Sequence, residues 1–214
     1  MNTIHYMWRF KPNETKKFPK NVIDNNSKFI EKFDIATPSL VQHLLETNND
    51  TFPNLLELYN NIPHWVTKSD IGRLLIIYFH GGIYSDADCF IKKSFNSHRD
   101  TDNIILFTEH FASLKDFGPR ECKNPENSLR IANFFFGCNL EKHHFLKEVI
   151  DECINRLKQM LIVEKNTNLS QSDILWICGP DVITTVYHRS KNNYTDIFLY
   201  DNTFLEHKSH GSWR

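Results

Sequence analysis

Residues 69–88 read SDIGRLLIIYFHGGIYSDAD and are the most informative stretch of the sequence. Its first half predicts a helix over residues 68–80, because apolar side chains recur at helical spacing from Ile71 to Tyr78. Asp70 is expected in the first turn, where the helix dipole favours an anion. A glycine pair then ends the helix, and a strand begins at Ile83. A helix that leads directly into a strand is typical of α/β layer folds.

Alternating elements are predicted on both sides of this stretch. Strands are predicted over residues 3–8, 104–107, 131–136 and 197–200. Helices are predicted over residues 21–32, 37–45, 143–161 and 181–187, while residues 172–178 fit a strand or a short helix. The alternation predicts an α/β domain with a mainly parallel central sheet flanked by helices. Ligands bind such sheets at the carboxyl ends of the strands.

Length, charge and cysteine pattern limit which classes of protein this chain can belong to. The chain has 214 residues, with 25 Lys and Arg against 26 Asp and Glu, which fits one domain and argues against a nucleic-acid partner. No apolar run is long enough to span a membrane, and the start lacks the layout of a signal peptide. The five cysteines are scattered and form no CxxC pair. We therefore expect reduced thiols and a cytoplasmic location.

Two pairs of charged residues are candidates for binding a cation and a ligand. Asp86 and Asp88 stand at i and i+2, so on an extended strand both carboxylates would point to one side and could hold a divalent cation. Asp70 and Arg73 are three residues apart and share a helix face, where they could bind sugar hydroxyls or a phosphate. Taken alone, the same residues also fit two acids flanking a turn and a surface ion pair.

The extended string resembles a known family. S-D-x-x-R, an apolar spacer and G-G-I-Y-x-D-x-D are similar to the signature of DXD-type glycosyltransferases. That family contains yeast Golgi initiation mannosyltransferases, bacterial capsular sugar transferases and clostridial glucosylating toxins. Weaker matches flank the string: Ile4–Trp8 resembles an opening I-H-x-x-W, Asn133 an internal N-x-F, and His207 with Ser212-Trp213 a closing H-x4-S-W. Lys208 replaces the second histidine that usually follows His207.

The resemblance implies a fold and a metal site. It implies a single GT-A-like (Rossmann-like) domain over residues 1–214, either the whole protein or the first domain of a longer one. Asp88 would bind Mn²⁺ or Mg²⁺ directly, and Asp86 would face the metal or the ribose. His207 would complete the site, with His210 as the alternative. An imidazole ligand favours Mn²⁺.

The resemblance also implies donor contacts. Trp8 would stack on the base, Asp70 and Arg73 would hold the sugar, and Asn133 would lie near the anomeric carbon. Ser212 and Trp213 would close over the diphosphate, and Gly81 and Gly82 would shape the backbone beside the donor.

The implied reaction moves a hexosyl unit from a nucleotide diphosphate sugar to a glycan or protein-linked hydroxyl, with retention at the anomeric carbon. A UDP-sugar is favoured over a GDP-sugar. Two alternatives stay open: a sugar-nucleotide binding module without turnover, and an aspartyl phosphatase that uses D-x-D. The asparagine-rich usage points to an AT-rich viral or microbial genome.

Overall fold

The computed structural model describes residues 1–94, 103–111 and 128–208. The strands are β1 (Thr3–Met7), β2 (Lys32–Ala36), β3 (Gly82–Ser85), β4 (Cys89–Ile91), β5 (Ile104–Phe111), β6 (Leu129–Ile131), β7 (Phe135–Cys138), β8 (Ile197–Tyr200) and β9 (Leu205–His207). The helices are α1 (Lys20–Asn26), α2 (Pro38–Thr47), α3 (Leu55–Asn61), α4 (Trp65–His80), α5 (His144–Lys158), α6 (Gln171–Cys178) and α7 (Pro180–Ser190).

Within the described residues, seven strands form the central sheet in the order β2-β1-β3-β7-β5-β6, with β8 beside β5. Strand β1 is parallel to β2 and β3, β7 is antiparallel to both β3 and β5, and β8 is parallel to β5. Five strands therefore run in one direction, and β6 and β7 run against them. This confirms the α/β class with a central sheet flanked by helices. The sheet is mixed, because three of the strand pairings in the described part of the sheet are parallel and three are antiparallel.

Helix α4 begins earlier than its sequence pattern predicts. The ring Nδ1 of His64 caps it by accepting a hydrogen bond of 3.3 Å from the Val66 N–H. Asp70 therefore lies in the second turn, and the expectation that it interacts with the helix dipole in the first turn is wrong. Nearly every side chain from Val66 to Phe79 is buried, because the helix crosses the sheet and is covered on its other side by helices.

Several elements differ from prediction. The strand predicted over residues 131–136 is divided into β6 and β7, because residues 132–134 interrupt it. The helix predicted over residues 21–32 ends at Asn26, and residues 32–36 form β2 at the edge of the sheet. Its apolar residue Phe33 is 49% exposed, so the segment lacks the buried face that usually marks a strand. Residues 172–178 belong to a helix.

The core lies on both faces of the sheet. Tyr84 of β3 packs with α4 and α5 on one face, and Ile83 packs towards α1, β4 and β9 on the other. Strands β4 and β9 pair outside the main sheet. Elements on both faces thereby reach the carboxyl end of β3, where the D-x-D sequence begins.

Four cysteines of the described ranges, Cys89, Cys138, Cys153 and Cys178, are buried free thiols. Cys122 lies outside those ranges. Among the helices that the structure describes, none combines the length and the apolar character needed to cross a bilayer.

Candidate active site

The two D-x-D carboxylates lie on a turn. Strand β3 ends at Ser85, and the Cys89 N–H donates to the Asp86 carbonyl over 3.1 Å before β4 begins. The expectation that an extended strand directs both carboxylates to one side is therefore wrong. The turn brings the side chains of Asp86 and Asp88 together instead.

His207 reaches this turn from a distant part of the chain. In the antiparallel pair of β4 and β9, His207 stands opposite Cys89, and the Lys208 N–H donates to the Asp88 carbonyl over 3.0 Å. The imidazole Nε2 lies 3.1 Å from Asp88 Oδ1 and 3.5 Å from Asp86 Oδ2. Phe134 stacks on the imidazole at a centroid distance of 4.1 Å, which fixes the plane of the ring.

These three side chains form a fitting donor set for a cation. One ligand atom of each lies within 4.8 Å of the others. Burial lowers the pKa of His207, but the hydrogen bonds and charges of Asp86 and Asp88 outweigh it and raise that pKa to about 9. The site therefore attracts positive charge. Two carboxylates and one imidazole are ligands that suit Mn²⁺, and the carboxylates also suit Mg²⁺.

Arg73 joins the helix to the D-x-D turn. Its guanidinium is 9% exposed and forms a buried ion pair with Asp70. Its Nη1 donates to Asp86 Oδ1 at 3.3 Å and to the Asn133 carbonyl at 2.9 Å. The predicted pairing of Asp70 with Arg73 on one helix face is present, but the pair is buried rather than on the surface.

Burial dominates the electrostatics of this pair. It raises the pKa of Asp70 to about 6, although the charge of Arg73 acts in the opposite direction. The Cys178 thiol contacts the other Asp70 oxygen at 3.7 Å. Since desolvation favours the neutral acid, the Asp70 carboxylate depends on Arg73 for its charge.

Comparisons with known proteins match the sequence around the DXD turn. Residues 13–105 match the family described as glycosyltransferase sugar-binding region containing DXD motif. The matched stretch contains the D-x-D residues Asp86 and Asp88. The resemblance to DXD glycosyltransferases that the sequence motifs indicate is thereby confirmed.

Individual relatives extend the likeness beyond that region. A glycosyltransferase of Acanthamoeba polyphaga mimivirus is 31% identical over 44% of this chain and 37% of its own length. The initiation-specific alpha-1,6-mannosyltransferase of Candida albicans is 22% identical over 87% of this chain and 56% of its own. The chain thus spans from about a third to just over half of these curated relatives.

A solved structure shares the fold. The PaToxG glycosyltransferase superposes with a TM-score of 0.57 at 19% identity, over 90% of this chain and 70% of that one. The fold of that structure therefore extends across most of this chain.

Trp8 and Asn133 lie at the same end of the sheet as the DXD turn. Trp8 follows β1, which is parallel to β3, and its indole N–H donates to the Lys16 carbonyl over 3.2 Å. An edge contact with Phe18 at 5.2 Å also holds the indole. The half-buried Asn133 meets Arg73 through its carbonyl. Base stacking by Trp8 and sugar contact by the Asn133 amide stay predictions.

The glycine pair lies elsewhere. Gly81 and Gly82 have φ of 63° and 85° at the amino end of β3, opposite the end that carries Asp86. A Cβ on Gly82 would stand 2.8 Å from the Thr3 carbonyl oxygen. The length of β3 separates the two glycines from the carboxylates, and a place for them beside the donor stays a prediction. His210, Ser212 and Trp213 lie outside the described residues.

Sequence reasoning missed Tyr84 and Phe134 as parts of the DXD site. The Tyr84 hydroxyl donates to Asp86 Oδ1, and burial raises the pKa of Tyr84 well above its usual value, so the hydroxyl stays protonated. A signal was available, because Tyr84 stands two residues before Asp86 and alternate strand residues share a face. Phe134 gives no comparable signal, since its partner His207 is distant in sequence.

Proposed function

We propose that this chain is the catalytic domain of a divalent-metal-dependent glycosyltransferase. The observation that supports this most is the convergence of Asp86 and Asp88 with His207 beside the buried Arg73. The donor would be a nucleotide diphosphate sugar, with a UDP-sugar favoured and a GDP-sugar the alternative. The acceptor would be a hydroxyl of a glycan or a protein-linked sugar or side chain.

Each residue has a proposed task. Asp88, Asp86 and His207 hold Mn²⁺ or Mg²⁺, and such a cation neutralises the negative charge that develops on a leaving diphosphate. Trp8 offers a flat surface to the base at the end of β1. Asp70 and Arg73 hold the sugar of the donor, and the Asn133 amide lies near its anomeric carbon.

The stereochemistry and the type of sugar are also proposals. Transfer with retention of anomeric configuration rests on the resemblance to the DXD family. A hexose fits the mannosyltransferase named among the relatives. The anomeric configuration of the product, measured by NMR, tests retention: an inverted product would contradict it.

A donor screen tests the function. The chain is mixed with UDP- and GDP-sugars with and without Mn²⁺, and the melting temperature and released nucleoside diphosphate are measured. A true donor raises the melting temperature because it binds only the folded state. Binding without release of diphosphate would indicate a non-catalytic module. Cleavage of a phosphate ester without sugar release would indicate a phosphatase.

The variant Asp88→Asn tests the metal site. It keeps the size of the side chain but removes the charge of one proposed ligand, so we expect metal-dependent turnover to fall by at least about a hundredfold. Circular dichroism and the melting temperature without metal serve as the control for folding. Full turnover by this variant would contradict the metal assignment.

A further inference from the structure

The carboxylate of Asp86 is held at one oxygen and turned towards the metal site at the other. Oδ1 accepts hydrogen bonds from the Tyr84 hydroxyl and from Arg73 Nη1, the latter at 3.3 Å. Oδ2 lies 3.5 Å from His207 Nε2. The rotation of the carboxylate is thus fixed from the side facing away from His207.

Tyr84 is itself rigidly placed. It is 2% exposed, stands opposite Phe136 in the pairing of β3 with β7, and contacts that ring at a centroid distance of 5.7 Å. The Arg73 guanidinium lies over the Tyr84 ring at 4.6 Å. The phenol therefore approaches Asp86 from a strand that cannot shift without disturbing the core.

We propose that Tyr84 is a positioning residue for the metal site, which presents Asp86 Oδ2 to a divalent cation by holding Oδ1. The inference rests on the proposed function, since it presumes that Asp86 is a ligand. Arg73 alone does not fix the orientation of the Asp86 carboxylate, because its guanidinium also donates hydrogen bonds to Asp70 and to the Asn133 carbonyl. Without the phenol hydroxyl, the carboxylate can rotate and turn Oδ2 away from the metal site. Partners that orient a metal ligand commonly change metal affinity by about 10–100-fold.

The variant Tyr84→Phe tests this inference, because it removes the hydroxyl and keeps the ring that packs on Phe136 and Arg73. We expect its dissociation constant for Mn²⁺ to rise by about tenfold, measured by calorimetry without any sugar donor. The electron paramagnetic resonance spectrum of bound Mn²⁺ should also change. A loss of packing alone would alter neither the affinity per folded molecule nor that spectrum.

The matched control is Tyr59→Phe. Tyr59 is 3% exposed and its hydroxyl has no hydrogen-bond partner among the described residues, so its loss removes an equal group without touching the DXD turn. We expect its Mn²⁺ affinity to equal that of the wild type. The melting temperature of each variant without metal reports on folding.

The outcomes separate this inference from the proposed function. Equal Mn²⁺ affinity of the wild type and Tyr84→Phe would overturn the role of Tyr84 and leave the function standing. Weakened Mn²⁺ binding in Tyr84→Phe together with no sugar transfer by the wild type would support the role and overturn the function. Failure of the wild type to bind Mn²⁺ would overturn both.

Discussion

Arg73 donates hydrogen bonds to acceptors from three parts of the chain: Asp70 of α4, Asp86 after β3 and the Asn133 carbonyl before β7. Its guanidinium can do this because its donors are arranged in a rigid planar fork. A lysine has one ammonium group and cannot reach three acceptors with the same geometry. The contribution of Arg73 therefore comes from its shape as well as its charge.

We predict that Arg73→Ala lowers the free energy of unfolding by about 3–5 kcal/mol, because it leaves the buried Asp70 carboxylate without its partner. Arg73→Lys should recover only part of this loss. Urea unfolding measures both. The control is Arg189→Ala: Arg189 is 52% exposed in its 3.1 Å ion pair with Glu152, and its loss should cost about 0–1 kcal/mol. Similar losses for Arg73→Ala and Arg189→Ala would contradict the structural role of Arg73.

The turn between α4 and β3 depends on backbone that only glycine adopts readily. Gly82 has a φ of 85°, and a Cβ there would lie 2.8 Å from the Thr3 carbonyl oxygen and 2.9 Å from His5 Nε2. Backbone atoms of β1 cannot move aside without breaking the parallel pairing of β1 with β3. This pairing places the ends of β1 and β3 side by side. Trp8 follows the end of β1, and Asp86 follows the end of β3.

We predict that Gly82→Ala destabilises the protein by about 1–3 kcal/mol, through strain and this close contact. Gly72→Ala in α4 is the comparison. Its Cβ would meet Met7 Cε at 2.5 Å, but this is the end of a flexible side chain, and alanine favours a helix over glycine by about 1 kcal/mol. Thermal and urea unfolding should therefore rank Gly82→Ala as the more destabilised. The reverse order would show that the α4–β3 turn tolerates a side chain.

At the scale of the whole molecule, burial of a neutral histidine makes the stability depend on pH. Burial lowers the pKa of His5 below 6.5, and nearby Asp34 only partly offsets this effect. His5 therefore binds a proton more readily in the unfolded chain than in the folded chain. Because the unfolded state binds more protons at His5 below pH 6.5, the contribution of His5 to the free energy of unfolding falls as the pH decreases through that range.

We predict that His5→Gln flattens the pH dependence of unfolding between about pH 7.5 and 5, since it removes this difference in proton binding. Urea unfolding at several pH values measures the slope. His43→Gln, at an exposed position of α2, should keep the slope of the wild type. Identical slopes for wild type and His5→Gln would mean that His5 titrates alike in both states.

The fold was predictable where the periodic pattern is long. Helix α4 carries apolar side chains on all sides, which is typical of a buried helix, and its burial of Asp70 and Arg73 follows from that composition. Strand β9 was not predictable, because three residues, Leu205–His207, show no period of their own. They form a strand only by pairing with β4.

The candidate site was predictable in its members but not in its arrangement. The motifs name Asp86, Asp88 and His207, and the structure brings all three together. The D-x-D spacing indicated an extended strand, whereas the hydrogen bond from Cys89 to Asp86 forms a turn. The role of Phe134 depends on its contact with the distant His207, which periodicity does not encode.

The pairing of β4 with β9 also has a consequence for the order of events during biosynthesis. Asp88 and His207 are separated by 119 positions. During translation, Asp88 therefore leaves the ribosome long before His207 is synthesised. Contacts across such a separation carry a large cost in chain entropy and form late in folding. The proposed cation site needs all three side chains, so it would be complete only when folding is nearly finished.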